Sequence, residues 1–246
     1  MSKQRLDQRL VDLGIFPSRA RARDAVLRGT VSIEDVVCNK PAQKISPEAK
    51  VSVDDPAASY VSRAALKLIE GLNAFSIDPN GKICLDIGAS TGGFTQVLLE
   101  HGAAKVHAID VGHDQMHESL RQNPRVAATD GLNARDLTVD HLQAEQPSLL
   151  VSDVSFISLK LALPRALDLA APGAEGVFLV KPQFEAGKDK IGKGGLVDPG
   201  IAARSAKDLR LWLAGQQGWS ALDMVPSPIK GGDGNTEYLL YGQKQS

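Results

Sequence analysis

The stretch Asp86-Ile87-Gly88-Ala89-Ser90-Thr91-Gly92-Gly93-Phe94-Thr95 decides the fold of this chain. An apolar run, Lys82-Ile83-Cys84-Leu85, precedes it, and Gln96-Val97-Leu98-Leu99-Glu100 follows with the spacing of a helix packed on a sheet. Strand, glycine turn and helix is the simplest reading. Gly88, Gly92 and Gly93 lack the Cβ that would block positive φ or close approach of backbone to a ligand, so the turn reads as a cofactor site.

Working outward, residues 104–110 read as a second strand that ends in a carboxylate. Asp110 can accept hydrogen bonds from both hydroxyls of an adenosine ribose, and NAD and S-adenosylmethionine (AdoMet) both fit that chemistry. Residues 126–130 suggest a third strand, with Asp130 either placed to meet an adenine amino group or serving as an ordinary turn carboxylate. Residues 148–153 and 176–181 are apolar runs that end in polar side chains, as central parallel strands do. Ligands of open α/β sheets bind outside the carboxyl ends of the strands, so Asp153 and Lys181 should face the crevice of Gly88 and Asp110. A helix is expected over 159–171, where Pro172-Gly173 stops it. Residues 182–200 are irregular and rich in glycine and lysine, the composition of a substrate loop or of a plain surface loop. A helix over 202–214, a strand over 221–225 and a last strand over 237–241 complete the chain. A closing hairpin on a parallel sheet suits AdoMet methyltransferases better than dehydrogenases.

The chain has 246 residues, 43% hydrophobic and 23% charged, which is enough for a large domain and a small one. No segment approaches the roughly 18 apolar residues of a membrane helix. The start, Met1-Ser2-Lys3-Gln4-Arg5-Leu6-Asp7, lacks the apolar core of a signal peptide, so a cytoplasmic location without membrane contact is expected. Two cysteines, Cys38 and Cys84, cannot build a metal cluster, and no metal is expected. Nothing in the sequence sets an oligomeric state. The formal net charge is −1, yet the first fifty residues carry ten cations against six acids. A basic head is attached to an acidic body.

In that head, residues 4–14 and 18–29 read as short helices, the second capped by Ser18, and residues 30–33 and 50–53 as short strands. Arg5, Arg9, Arg19, Arg21, Arg23 and Arg28 crowd the helices. By charge alone they are a solvated helix face or a phosphate-binding one. The segments Arg5-Leu6-Asp7 with Leu10, Phe16-Pro17-Ser18-Arg19-Ala20-Arg21-Ala22, Gly29-Thr30-Val31 and Lys40-Pro41 resemble the S4 RNA-binding domain. That resemblance implies that the six arginines grip folded RNA through its phosphates. The expected organisation is an S4-like domain over 1–53, a linker over 54–59 and a second domain over 60–246.

Residues 62–72 can form a helix from a Ser62 cap, with Ala65, Leu68, Ile69 and Leu72 inward and Arg63, Lys67 and Glu70 on the other face. Taken alone, Lys67 is a solvated helix lysine. The larger pattern differs: Tyr60-Val61-Ser62-Arg63 with Leu66-Lys67-Leu68, the 86–95 turn, Asp110-Val111-Gly112, Ser152-Asp153-Val154-Ser155-Phe156-Ile157-Ser158, Lys181-Pro182-Gln183-Phe184-Glu185 and Gly234-Asn235-Thr236-Glu237-Tyr238. It resembles the FtsJ-like 2′-O-ribose methyltransferases, and with its head the chain is similar to the TlyA (haemolysin A-like) family of rRNA methyltransferases. Ser90-Thr91 and Phe94 depart from the narrower FtsJ branch and agree with TlyA.

The resemblance implies a Rossmann-like α/β methyltransferase domain that uses AdoMet and acts on the ribose 2′-hydroxyl of cytidine in 23S and/or 16S rRNA, with ribosomal subunits as partners. Cofactor contacts carry over to Asp86, Gly88, Ser90, Thr91, Gly92, Gly93, Phe94, Asp110 and Asp130. A Lys-Asp-Lys-Glu tetrad carries over to Lys67, Asp153, Lys181 and Glu237. Lys181 would be the base, its amine kept neutral by burial and by the nearby Lys67 cation, with Asp153 and Glu237 orienting the two amines. Two other readings compete: a membrane-damaging haemolysin, which needs a secretion or membrane-inserting segment, and a ribosome-binding module with an inactive fold, against which the intact tetrad argues.

Overall fold

The computed structural model describes residues 3–246; Met1 and Ser2, with which the expected head domain begins, lie outside the described residues. The chain forms two compact units, Met1–Ser59 and Tyr60–Ser246, so residues 54–59 fall within the first.

In the first unit, helices Leu6–Asp12 and Arg19–Leu27 accompany a three-stranded antiparallel sheet in the order Val36–Val37, Val31–Ile33, Val51–Val53. Ser18 Oγ accepts from Arg21 N at 3.3 Å, capping the second helix as expected. Leu6, Leu10, Phe16, Ala22, Val26 and Val31 fill a small core. Three strands of two residues each, Gln4–Arg5, Val36–Val37 and Lys44–Ile45, were not expected, because two residues carry no alternation to read. Arg28 fastens the unit's last residues. Its guanidinium forks onto Asp55 with bonds of 2.7 and 2.8 Å and also pairs with Asp24 at 2.8 Å. Burial pushes the Asp55 carboxyl up, but the Arg28 fork and the Ala57 N–H together pull it below the ordinary carboxylate range.

The second unit is a seven-stranded sheet. Its strands are β1 (Ile83–Ile87), β2 (Lys105–Ile109), β3 (Val126–Thr129), β4 (Leu149–Ser152), β5 (Glu175–Val180), β6 (Trp219–Pro226) and β7 (Tyr238–Lys244), in the order β6-β7-β5-β4-β1-β2-β3. The first five are parallel, and β7 enters antiparallel between β5 and β6. This is the α/β class that the alternation of strands and helices predicted. Helices α1 (Ala65–Ala74) and α2 (Gly93–Glu100) pack on one face, where Leu68, Leu72, Val97 and Leu98 meet Cys84, Val106, Val151 and Val177. On the other face Leu85, Ile87, Leu150, Phe178 and Leu240 meet α4 (Leu159–Ala162), α5 (Pro164–Leu169) and α7 (Pro199–Ala214), while the short α3 (Glu118–Arg121) adds Leu120 to the first face and α6 (Pro182–Glu185) follows β5. Chain order reverses at β1, which lies between β2 and β4, so the crevice opens at the end of β1.

Three of the differences from expectation in this unit have a plain local cause. The helix expected over 159–171 is two helices, because Pro164 lacks the N–H that would bond back into the preceding turn. Helix α7 starts at Pro199, ahead of the expected 202, since Asp198 Oδ1 accepts from Gly200 N at 2.8 Å and Ile201 N at 3.2 Å. Ser62 does not cap α1 directly: Ser62 O accepts from Ala65 N at 3.2 Å, making a separate turn before the helix.

Asp55→Ala would leave the Arg28 guanidinium, whose side chain is only 14% exposed, short of its main partner. The expected cost to the first unit is about 2 kcal/mol. Hydrogen exchange should show faster amides in Val31–Ile33 and Val51–Val53 and unchanged amides in the large sheet.

Candidate active site

The turn after β1 is organised by a carboxylate from the next strand end. Asp110 Oδ2 accepts from Ser90 N at 2.8 Å and Asp110 Oδ1 from Gly112 N at 2.7 Å, while Gly88 N and Ala89 N donate to Ile109 O. Ser90 is left-handed at φ 47° and sends its hydroxyl to Gln115 Oε1 at 2.9 Å. The glycines make room for the protein's own chain. A Cβ on Gly88, at φ +81°, would lie 3.1 Å from Val154 Cα, and one on Gly93 would lie 2.9 Å from Ser62 Cβ. Asp86 is fully buried and accepts from Thr95 Oγ1 at 2.7 Å; burial pushes its carboxyl up to about 7. It lines neither cleft at the turn and acts beneath it.

Two adjoining clefts open there. The larger, about 620 Å³, is lined by Ser90, Asp110, Val111, Leu132, Asn133 and Phe156 among others; the smaller, about 140 Å³, by Thr91, Gly93, Phe94, Asp153, Ser155 and Lys181 among others. Gly88, Ser90, Asp153 and Ser155 line both. The volume is that of a small-molecule site, with an apolar wall on one side and polar groups converging on the other. Asp130, expected near an adenine, is elsewhere. It pairs with Arg121 at 2.7 Å and accepts from Asp114 N at 3.1 Å, and these bonds, the backbone one foremost, hold its carboxyl below the usual range. Leu132 and Asn133, just after it, line the cleft instead, and pattern reading missed them because they sit in an irregular segment.

The four tetrad residues form two ion pairs. Lys181 Nζ lies 2.6 Å from Asp153 Oδ1 and donates to Ser155 Oγ at 2.8 Å. Lys67 Nζ donates to Glu237 Oε2 at 2.6 Å, with both side chains less than a tenth exposed. Lys67 therefore does not belong to a solvated face: α1 turns it inward, toward a residue 170 positions away. Lys181 and Asp153 follow the neighbouring strands β5 and β4. The β5–β7 register ends at Val180↔Tyr238, so Lys181 and Glu237 stand one step beyond that pair. Adjacent strand ends thus bring the two pairs together.

Residues 60–244 match the family model of the FtsJ-like methyltransferases and residues 4–51 that of the S4 domain. The chain is 43% identical to the 16S/23S rRNA (cytidine-2′-O)-methyltransferase TlyA of Mycobacterium tuberculosis, over 99% of this chain and 91% of that one. The chain belongs to the TlyA family. Another relative, Hemolysin A of Brachyspira hyodysenteriae, is 40% identical over 96% of this chain and 98% of its own length. A solved Streptococcus thermophilus protein, also of hemolysin name, superposes with a TM-score of 0.77 at 37% identity, covering 100% of this chain and 90% of that one. Among the described residues of this TlyA-family chain, no helix is long and apolar enough to cross a membrane.

In its S4 unit the six arginines are not equivalent. Arg5 and Arg19 converge on the buried Asp7 carboxylate, with Arg5 Nη2 at 2.7 Å and Arg19 Nη2 at 3.3 Å, while about half of each side chain stays exposed. Arg23 is exposed. Arg9 donates to Pro47 O at 2.9 Å and Arg21 to Ala57 O at 3.1 Å. Arg28 is committed to Asp24 and Asp55, a use that charge counting cannot distinguish from RNA binding.

A buried acid whose folded pKa is raised stabilises the fold below its unfolded value, near 4, and loses that contribution as pH rises through about 7. Asp86→Asn keeps the shape without the charge. Its melting temperature relative to the parent should therefore climb between pH 5 and pH 8, by the equivalent of at most about 4 kcal/mol. A pH-independent difference would show that Asp86 does not titrate in this range.

Proposed function

We infer that this chain is an AdoMet-dependent rRNA methyltransferase, acting on the ribose 2′-hydroxyl of cytidine in 23S and/or 16S rRNA. The observation that carries this reading is the Lys181–Asp153 pair lining the glycine cleft. The clefts suit AdoMet. Asp110, with its oxygens turned to backbone N–H groups at the cleft wall, keeps lone pairs for ribose hydroxyls; Val111, Leu132 and Phe156 offer an apolar wall for adenine; and Gly88, Thr91 and Phe94 flank the narrower part for the methionine portion. When bound, AdoMet supplies an electrophilic methyl on a sulfonium.

The chain's own task is to bring a ribose hydroxyl in line with that methyl and to accept its proton. A hydroxyl is a weak nucleophile, so a base at the point of attack lowers the barrier. With AdoMet bound, Lys181 Nζ would accept the hydroxyl proton as the cofactor gives up its methyl to the oxygen. Asp153 and Ser155 hold the amine in place and offset the ammonium charge that results. Lys67 and Glu237 form the supporting pair, fixing α1 against the start of β7 beside Lys181. Positioning of the two reactants supplies most of the remaining acceleration.

In the S4 unit, Arg5, Arg19 and Arg23 have guanidinium groups available to phosphate, with Arg9 and Arg21 contributing from partly buried positions. Arg28 serves the unit's integrity. An rRNA substrate implies a cytoplasmic enzyme.

Lys181→Ala, assayed with labelled AdoMet and isolated ribosomal subunits, should lose transfer by a factor on the order of 10³ while AdoMet and RNA affinities change little. Near-normal turnover would overturn the assignment of the base. Arg23→Ala should weaken RNA binding evenly across sequences and lower the slope of log affinity against log salt by about 1. An unchanged slope would remove Arg23 from the interface.

A further inference from the structure

The segment Lys181-Pro182-Gln183-Phe184-Glu185 contributes its first residue to methyl transfer, and its last residue is also committed. Glu185, at the end of α6, reaches across to the turn that carries Asp153. Its Oε2 accepts from Ser158 Oγ at 2.6 Å and its Oε1 from Leu159 N at 2.8 Å. Ser158 is the N-cap of α4, so the carboxylate holds the first turn of that helix at both the cap hydroxyl and a backbone N–H. Burial pushes the Glu185 carboxyl up, which marks a group withdrawn from water for the sake of these bonds.

The turn it holds is strained. Phe156 sits at φ 65° with 91% of its surface exposed, a left-handed conformation that is costly for a bulky side chain. Such a conformation persists only where the surroundings over-determine it. Residues 181–185 supply contacts along the whole turn: Lys181 Nζ on Asp153 and on Ser155 Oγ, the Phe184 ring 5.2 Å from the Phe156 ring, and the Glu185 clamp on Ser158 and Leu159.

We propose that Glu185 is a positioning residue for methyl transfer: it pins the far end of the 153–158 turn to the segment led by Lys181, so that Asp153 and Ser155 stay on the Lys181 amine. This rests on Lys181 as the proton acceptor. Without the clamp the turn can relax Phe156 toward ordinary backbone, and that movement draws Asp153 and Ser155 off the amine. A misplacement of about 1 Å at reacting groups can cost about 100-fold in rate.

The test is single-turnover methyl transfer by the full chain to rRNA, with AdoMet and RNA affinities and melting temperature measured alongside, for Glu185→Ala, Glu185→Gln, Ser158→Ala and the Glu185→Ala/Ser158→Ala pair. Glu185→Ala should slow transfer about 30-fold and change both affinities less than about threefold. Glu185→Gln, which keeps an oxygen for Leu159 N, should slow it roughly fivefold. The double variant should be no slower than Glu185→Ala, because both changes remove one clamp. A rate within threefold of the parent for Glu185→Ala overturns the proposal. So does a parallel fall of rate, affinities and melting temperature in both Glu185 variants, or additive losses in the double variant. Lys181→Ala made beside them separates the two readings: near-normal transfer by that variant overturns the base assignment and the clamp with it, whereas a slow Lys181→Ala enzyme beside a parent-like Glu185→Ala enzyme overturns the clamp alone.

Discussion

The buried Lys67–Glu237 ion pair is the constraint on which the architecture of the site depends. Two charges less than a tenth exposed are stable only together, since removing either leaves the other without water or a partner. The pair ties the middle of α1 to the start of β7. For Glu237 to stand there, the last strand must run antiparallel into the gap between β5 and β6, in the register that ends at Val180↔Tyr238. That register puts Glu237 next to Lys181, and the parallel β4–β5 pairing puts Lys181 next to Asp153. One buried pair therefore commits the sheet to the arrangement that assembles the other.

The glycine turn is built by similar logic. Asp110 binds backbone N–H groups of the turn and of its own strand end, and Asp86 supports the turn from beneath through Thr95. Gly88 and Gly93 leave space for Val154 and Ser62. The cradle is thus preorganised by the protein's own contacts, with Asp110 serving both the turn and the cleft wall, and binding need not order a loose loop.

Much of this was legible in residue patterns. The apolar runs ending in Asp110, Asp153 and Lys181 are strands because buried parallel strands are continuously apolar, and their polar ends mark the crevice. Ser18 announces its helix as a cap, and Pro164, without an N–H to bond into the preceding turn, breaks the helical run over 159–171. The two readings of Asp130, adenine contact or turn carboxylate, are not separable in the sequence. A strand-end carboxylate looks the same whether it meets a ligand or an arginine, and only the fold brings Arg121 to it. Arg28 hides in the same way among the basic residues of the S4 unit.

By itself, the sequence determined the α/β class and the glycine turn, because these depend on local periodicity and on glycine's missing Cβ. Only the tertiary structure decided which charges are partners. Lys67 faces inward to Glu237, Asp130 turns to Arg121, Arg28 to Asp55 and Glu185 to Ser158, pairings that span from 9 to 170 residues and arise from strand order and register. An ion pair's energy depends on distance and burial in space, and neither is written in any short stretch of chain.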